Sequence, residues 1–205
     1  MIEREDKKNG IEYQEETYVE SFEEAVHRVI KTEESKDVFR FLIVDVDGTL
    51  FDNELIKYPF ISPFIKPRIK DETKEVFYLL SDRYKDCMAI ATNRNGEENL
   101  LWNSDEVLEE VYRLIELTKY DTPVFEKMEK QLPWIAEKRI EKLVEYIGIS
   151  ISRNNMENCK KIVLESIEDL IIVSPNRKTF LKFVAKRVYR DWGIRVMINN
   201  YVIKK

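Results

Sequence analysis

Two aspartates stand two residues apart in the segment Asp45-Val46-Asp47-Gly48-Thr49-Leu50. A nearly continuous apolar run, Phe39-Arg40-Phe41-Leu42-Ile43-Val44, leads directly into them, and Gly48 permits a sharp turn afterwards. In open α/β sheets, ligands and reactive groups collect at the carboxyl ends of strands. Two carboxylates at such an end can face the same side as the chain leaves the sheet. That arrangement suits phosphoryl transfer. A carboxylate nucleophile needs a cation to offset its repulsion from the phosphate, and an alkoxide leaving group needs a proton. The bland alternative is a polar turn that merely ends a strand.

The surrounding pattern supplies the elements that would position these acids. The run at 39–44 lacks alternation, as expected of a strand buried on both faces of a parallel sheet. Before it, Ser21-Phe22-Glu23-Glu24 has capping-box spacing, and Phe22, Val26 and Ile30 predict a helix over 21–34. Residues 1–20 are polar and acidic and read as loosely held. Pro59, Pro63 and Pro67 keep 51–68 from forming one helix, so this stretch reads as an irregular flap.

Helices are expected at 71–84, 104–119, 134–147 and 158–166, and a basic helix at 177–191. Strands are expected at 87–91, 170–173 and 194–198. Strands and helices alternating in this way predict an α/β doubly wound parallel sheet with helices on both faces. The division read from the sequence is an N-terminal polar segment and helix at 1–36, then an α/β domain at 37–205 with a helical insertion at 121–150.

At residues 45–50 the sequence resembles the haloacid-dehalogenase-like (HAD-like) superfamily, whose first motif reads Asp-x-Asp-Gly-Thr-Leu. The resemblance implies that Asp45 attacks phosphorus to form an aspartyl-phosphate. It implies that Asp47 acts as general acid and then base, with its backbone carbonyl on Mg²⁺. The second motif, a Thr or Ser ending the next core strand, resembles Ala91-Thr92-Asn93-Arg94. Thr92 would then donate its hydroxyl to the phosphoryl group, and Asn93 and Arg94 would contact substrate. The third motif is a lysine near the start of the helix before the fourth core strand. Lys160 and Lys161 both qualify by position, and Lys160 is preferred.

The fourth motif should place one or two acids just after its strand. With that strand at 170–173, the chain reads Ser174-Pro175-Asn176-Arg177-Lys178 there, and Glu168 and Asp169 fall before it. The motif then reads as degenerate. Asn176 would add a neutral oxygen to an Mg²⁺ site built on Asp45 and Asp47, and Arg177 or Lys178 would take over part of the metal's charge. Two functions follow: an Mg²⁺-dependent phosphatase acting on a phosphate monoester, or a catalytically impaired domain that binds nucleic acid or protein. The interval between the first two motifs has no room for a large cap. Lightly capped members of this superfamily act on large substrates, so the resemblance admits a nucleotide, a nucleic-acid end or a phosphoprotein.

Lys178, Lys182, Lys186 and Arg190 recur every fourth residue, with Arg177 and Arg187 beside them, over a buried side of Phe180, Leu181, Val184 and Val188. Such a stripe is either a solvated face or a track for a phosphate backbone. The net charge of −5 argues against a protein that coats nucleic acid globally. No run approaches the roughly 18–20 apolar residues that span a bilayer, and a cytoplasmic location is expected. Cys87 and Cys159 read as buried free thiols, and His27 as a surface residue. With one histidine, multi-histidine zinc sites are poor candidates.

Overall fold

The computed structural model describes residues 10–13, 16–32, 38–51, 67–92, 94, 104–126, 137–156, 158–169 and 175–204, with 104 and 175–179 described by backbone alone. In chain order the elements are β1 (Ile11–Tyr13), β2 (Thr17–Val19), α1 (Phe22–Ile30), β3 (Val38–Val44), α2 (Asp71–Tyr84) and β4 (Met88–Ala91). They continue as α3 (Ser104–Glu116), β5 (Val124–Phe125), α4 (Glu137–Arg153), β6 (Lys161–Asp169), α5 (Pro175–Trp192) and β7 (Arg195–Ile203).

The apolar run before Asp45 forms β3 at the middle of a sheet that has seven strands among the described residues, ordered β1-β7-β6-β3-β4-β5, with β2 also pairing β7. Every ladder among the described residues is parallel. Phe41, Leu42, Ile43 and Val44 are fully buried, which is why the run shows no alternation. From β3 the chain steps outward through α2 to β4. From β6 it steps outward the opposite way through α5 to β7. Right-handed crossovers in opposite directions put α2 and α5 on opposite faces. The fold is a doubly wound, Rossmann-like α/β sheet, and its switch point lies between β3 and β6.

The predicted helices α1 to α5 are present, with shifted ends. Ser21 caps α1, its Oγ accepting from the Glu24 N–H at 3.2 Å, while the Glu24 carboxylate accepts from the Glu20 N–H at 2.8 Å. The buried side of α5 is the expected one: Phe180, Leu181, Val184 and Val188. Both thiols are free and buried, and His27 is exposed. None of the described helices is long and apolar enough to cross a membrane.

Two expectations fail. Residues 11–13 and 17–19, read as loosely held, add two strands to the outer edge of β7. The helix expected at 158–166 is instead the start of β6, so Cys159 lies just before a strand and not within a helix. Ile162, Val163 and Leu164 are buried on the two faces of that strand. A run of this kind, rich in β-branched residues, is satisfied by burial between two helical layers, and this overrides its helical reading. The strand expected at 170–173 and the flap at 52–66 lie outside the described residues.

Candidate functional site at the carboxyl ends of β3, β4 and β6

Asp45 follows the last residue of β3. Its N–H donates to the Ile167 carbonyl at 3.0 Å, extending the ladder in which Val44 pairs Ile167. One residue further along, Glu168 stands beside Asp45, and Asp169 ends β6. Both β6 acids and Asp45 are buried, with relative exposures of 1%, 0% and 5%. On the other side, β4 ends at Ala91, which is level with Asp45 because Val44 pairs Ile90, and Thr92 follows one residue further along. Three neighbouring strand ends therefore bring Asp45, Thr92, Glu168 and Asp169 together at the switch point, where open α/β sheets bind ligands.

The acids expected to precede their strand instead end it. A strand at 170–173 would put Glu168 and Asp169 at its amino end and Ser174 and Asn176 past its carboxyl end, but β6 begins nine residues earlier, at Lys161. Asn176, Arg177 and Lys178 lie in the first turns of α5, which starts at Pro175, and their side chains are outside the described set. Asn93 also lies outside it.

The same shift displaced the expected lysine. Lys160 is exposed just before β6, and its carbonyl accepts from the Arg195 N–H at 3.2 Å. Lys161 pairs with Glu12 at 3.5 Å. Both sit at the amino end of the strand. At ~3.3 Å per residue, Lys160 is roughly 26 Å from Glu168. Neither lysine is brought to Asp45.

Arg139 is one cation that the described residues do place near the carboxyl ends of these strands. It lies in the first turn of α4, the helix before β6, and is 4% exposed. Its Nη1 donates to the Thr92 carbonyl at 2.7 Å, and its guanidinium lies 4.5 Å from the centre of the Phe180 ring on α5. The sequence signal for it was the arginine opening the amphipathic 137–153 pattern. With the helix before the strand expected at 158–166, Arg139 falls one helix too early to qualify; in the fold α4 is that helix.

Arg94 binds Asp47. Its Nη2 and Nε donate to Asp47 Oδ1 at 2.6 and 2.8 Å, and Nε also reaches Oδ2 at 3.0 Å. The Arg94 N–H donates to Thr92 Oγ1 at 3.1 Å. Because Thr92 accepts there, its own hydroxyl proton can be donated elsewhere.

A short polar chain reaches Glu168 from the far side. The Ser166 hydroxyl bonds to Asn200 Oδ1, and Asn200 Nδ2 donates to Glu168 Oε1. Ser166 and Asn200 are register partners on β6 and β7. A buried carboxylate is thus held by a neutral amide.

The Mg²⁺ that the HAD resemblance implies takes hard oxygen donors, usually one or two carboxylates, with water and phosphate oxygens completing six. Asp45 with one β6 acid fits that donor chemistry. Among the described residues, no group of three or more His, Cys, Asp and Glu side chains is placed to hold an ion by itself.

No protein-family model and no curated protein matches the chain. The site therefore rests on its own residues.

Proposed function

We propose that the chain is a HAD-like phosphatase that hydrolyses a phosphate monoester through a phospho-Asp45 intermediate. The supporting observation is the convergence of Asp45, Thr92 and the Glu168–Asp169 pair at three adjacent carboxyl strand ends. An Asp45 carboxylate oxygen attacks phosphorus, and the bond to the leaving oxygen breaks as Asp47 gives that oxygen a proton. Asp47 then takes a proton from water, whose oxygen attacks phosphorus and releases Asp45 with inorganic phosphate.

Thr92 donates its hydroxyl to a phosphoryl oxygen, and the HAD resemblance would add the Asn93 N–H as a second donor. Asp45, the Asp47 carbonyl and an acid of β6 would hold Mg²⁺, which when bound supplies positive charge against that of nucleophile and phosphate. Asn176 is no longer needed as a metal ligand once Glu168 and Asp169 take that place. Arg139 replaces Lys160 as the fixed cation of the third motif, acting beside Thr92.

The substrate class is a phosphate monoester carried by a nucleotide, a nucleic-acid end or a phosphoprotein. Arg177 and Lys178, in the first turns of α5, are the basic residues proposed to meet it. Further along α5, Arg187 pairs with Asp191 and Glu141, and Arg190 pairs with Asp191. The basic stripe thus carries counter-charges of its own, which weakens the reading of α5 as a nucleic-acid track.

Turnover of an aryl phosphate with Mg²⁺, abolished in Asp45→Asn, is the expected result. Silence across phosphate esters, together with salt-sensitive nucleic-acid binding lost on substituting Lys182 and Lys186, would favour a binding module instead.

A further inference from the structure

We propose that Arg94 is the phosphate-binding cation of this site and that Asp47 holds it until substrate arrives, so that binding phosphate frees the acid–base residue. The proposal deepens the phosphatase reading and rests on it.

The geometry is specific. Arg94 presents Nε and Nη2 together to one carboxylate, with three contacts between 2.6 and 3.0 Å. This is the fork by which a guanidinium also grips two phosphate oxygens. Both side chains are largely enclosed, at 9% and 18% exposure, so the pair is only weakly screened by water. Arg94 is anchored beside the phosphoryl position because its own N–H donates to Thr92 Oγ1. A phosphoryl group resting on Thr92 therefore arrives within reach of this guanidinium. It competes with Asp47 for the same two N–H groups.

The chemistry gives the pairing a purpose. While Asp47 accepts from Arg94, its oxygens are engaged and it has no proton to pass to a leaving group. When the phosphoryl group draws Arg94 away, the freed Asp47 oxygen takes a proton from solvent water and passes it to the leaving oxygen. One exchange of partners both fixes the substrate and readies the acid. No covalent step is added to the proposed reaction.

The experiment measures the binding of inorganic phosphate, by phosphorus NMR titration with Mg²⁺ present, to the wild type, Asp47→Asn, Arg94→Gln and the double variant. Circular dichroism and thermal melting confirm that each variant is folded. Asp47→Asn removes the competitor and is expected to tighten phosphate about tenfold, Arg94→Gln to weaken it about tenfold, and Asp47→Asn to have little further effect once Arg94 is gone. Arg94→Lys keeps the charge but loses the fork, and should recover only part of the affinity.

Equal tightening by Asp47→Asn with or without Arg94 overturns the proposal, since it indicates general charge repulsion. So does an Arg94→Gln variant that binds phosphate as the wild type does. If aryl phosphate is turned over while either result holds, the exchange alone is wrong. If no phosphate binds and nothing is turned over, the phosphatase reading fails and takes the proposal with it.

Discussion

Asp45 and Glu168 stand abreast on neighbouring parallel strands, joined through the hydrogen bond from the Asp45 N–H to the Ile167 carbonyl at 3.0 Å. Two nearly buried acids side by side repel one another unless a cation or a proton intervenes. A divalent ion between β3 and β6 would relieve that repulsion.

Mg²⁺ should therefore raise the melting temperature, because a ligand that binds only the native state stabilises it by mass action. Asp45→Asn and Glu168→Gln should each weaken Mg²⁺ at least about tenfold in a thermal-shift titration. Lys160→Ala, at the other end of β6, should leave the titration unchanged. A wild-type melting point indifferent to Mg²⁺ would count against a metal at these strand ends.

Arg139 ties α4 to the end of β4 and packs on Phe180 of α5. Arg139→Ala loses a charged hydrogen bond and a cation–π contact, and should lower stability by about 3 kcal/mol in urea denaturation. Lys160→Ala is exposed and should stay within about 0.5 kcal/mol. Arg139→Lys restores charge without the planar fork, and its partial recovery would separate charge from shape.

On the opposite sheet face, Glu165 is fully buried, accepts from Arg40 Nη1 at 2.6 Å, and is bonded by the Tyr84 hydroxyl. Removing one partner of a buried pair strands the other charge, so Arg40→Met should cost about 3–5 kcal/mol. Burial first, and then the Glu165 charge, raises the Tyr84 phenol above its ordinary 10.0. A raised phenol keeps its proton in the native state after the unfolded chain has lost it. Its contribution is complete below pH 10 and is lost as pH climbs above 10, at about 1.4 kcal/mol per unit. Tyr84→Phe should make stability fall less steeply above pH 10 in alkaline denaturant titrations.

The edge strands test whether the N-terminal residues belong to the domain. Gly10 has φ +71°, and a Cβ there would meet the Tyr189 ring at 2.3 Å. Gly10→Ala should destabilise by about 1–3 kcal/mol and raise amide exchange at β1. An unchanged exchange pattern would show that β1 docks independently of this turn.

The parallel sheet and the strand ends that carry Asp45 and Thr92 were legible because local pattern and burial agree there. The run before Asp45 is apolar on both faces, Gly48 marks the turn, and Met88–Ala91 is a short apolar strand leading to Thr92. The rest turned on one segment. Residues 161–167 mix Lys161, Glu165 and Ser166 with four apolar residues, a pattern that fits a helix as readily as a strand. Its strand state depends on pairing with β3 and β7, and on Arg40 and Tyr84 donating to Glu165 and Asn200 accepting from Ser166. Those partners are distant in sequence. With β6 beginning at Lys161, Lys160 falls at the amino end of the sheet, Glu168 and Asp169 fall at its carboxyl end, and α4, which carries Arg139, is the helix before the strand. The β1 and β2 strands were hidden for the same reason, since three-residue strands take their stability from β7.

The most direct measurement is mass spectrometry of the acid-quenched Asp47→Asn variant after exposure to an aryl phosphate and Mg²⁺. Without its base, breakdown of the intermediate should slow, so the peptide containing Asp45 should gain the mass of one phosphoryl group, and that adduct should be absent when Asp45→Asn is added. Wild-type turnover that survives Asp45→Asn, with no adduct in any variant, would contradict transfer through this carboxylate.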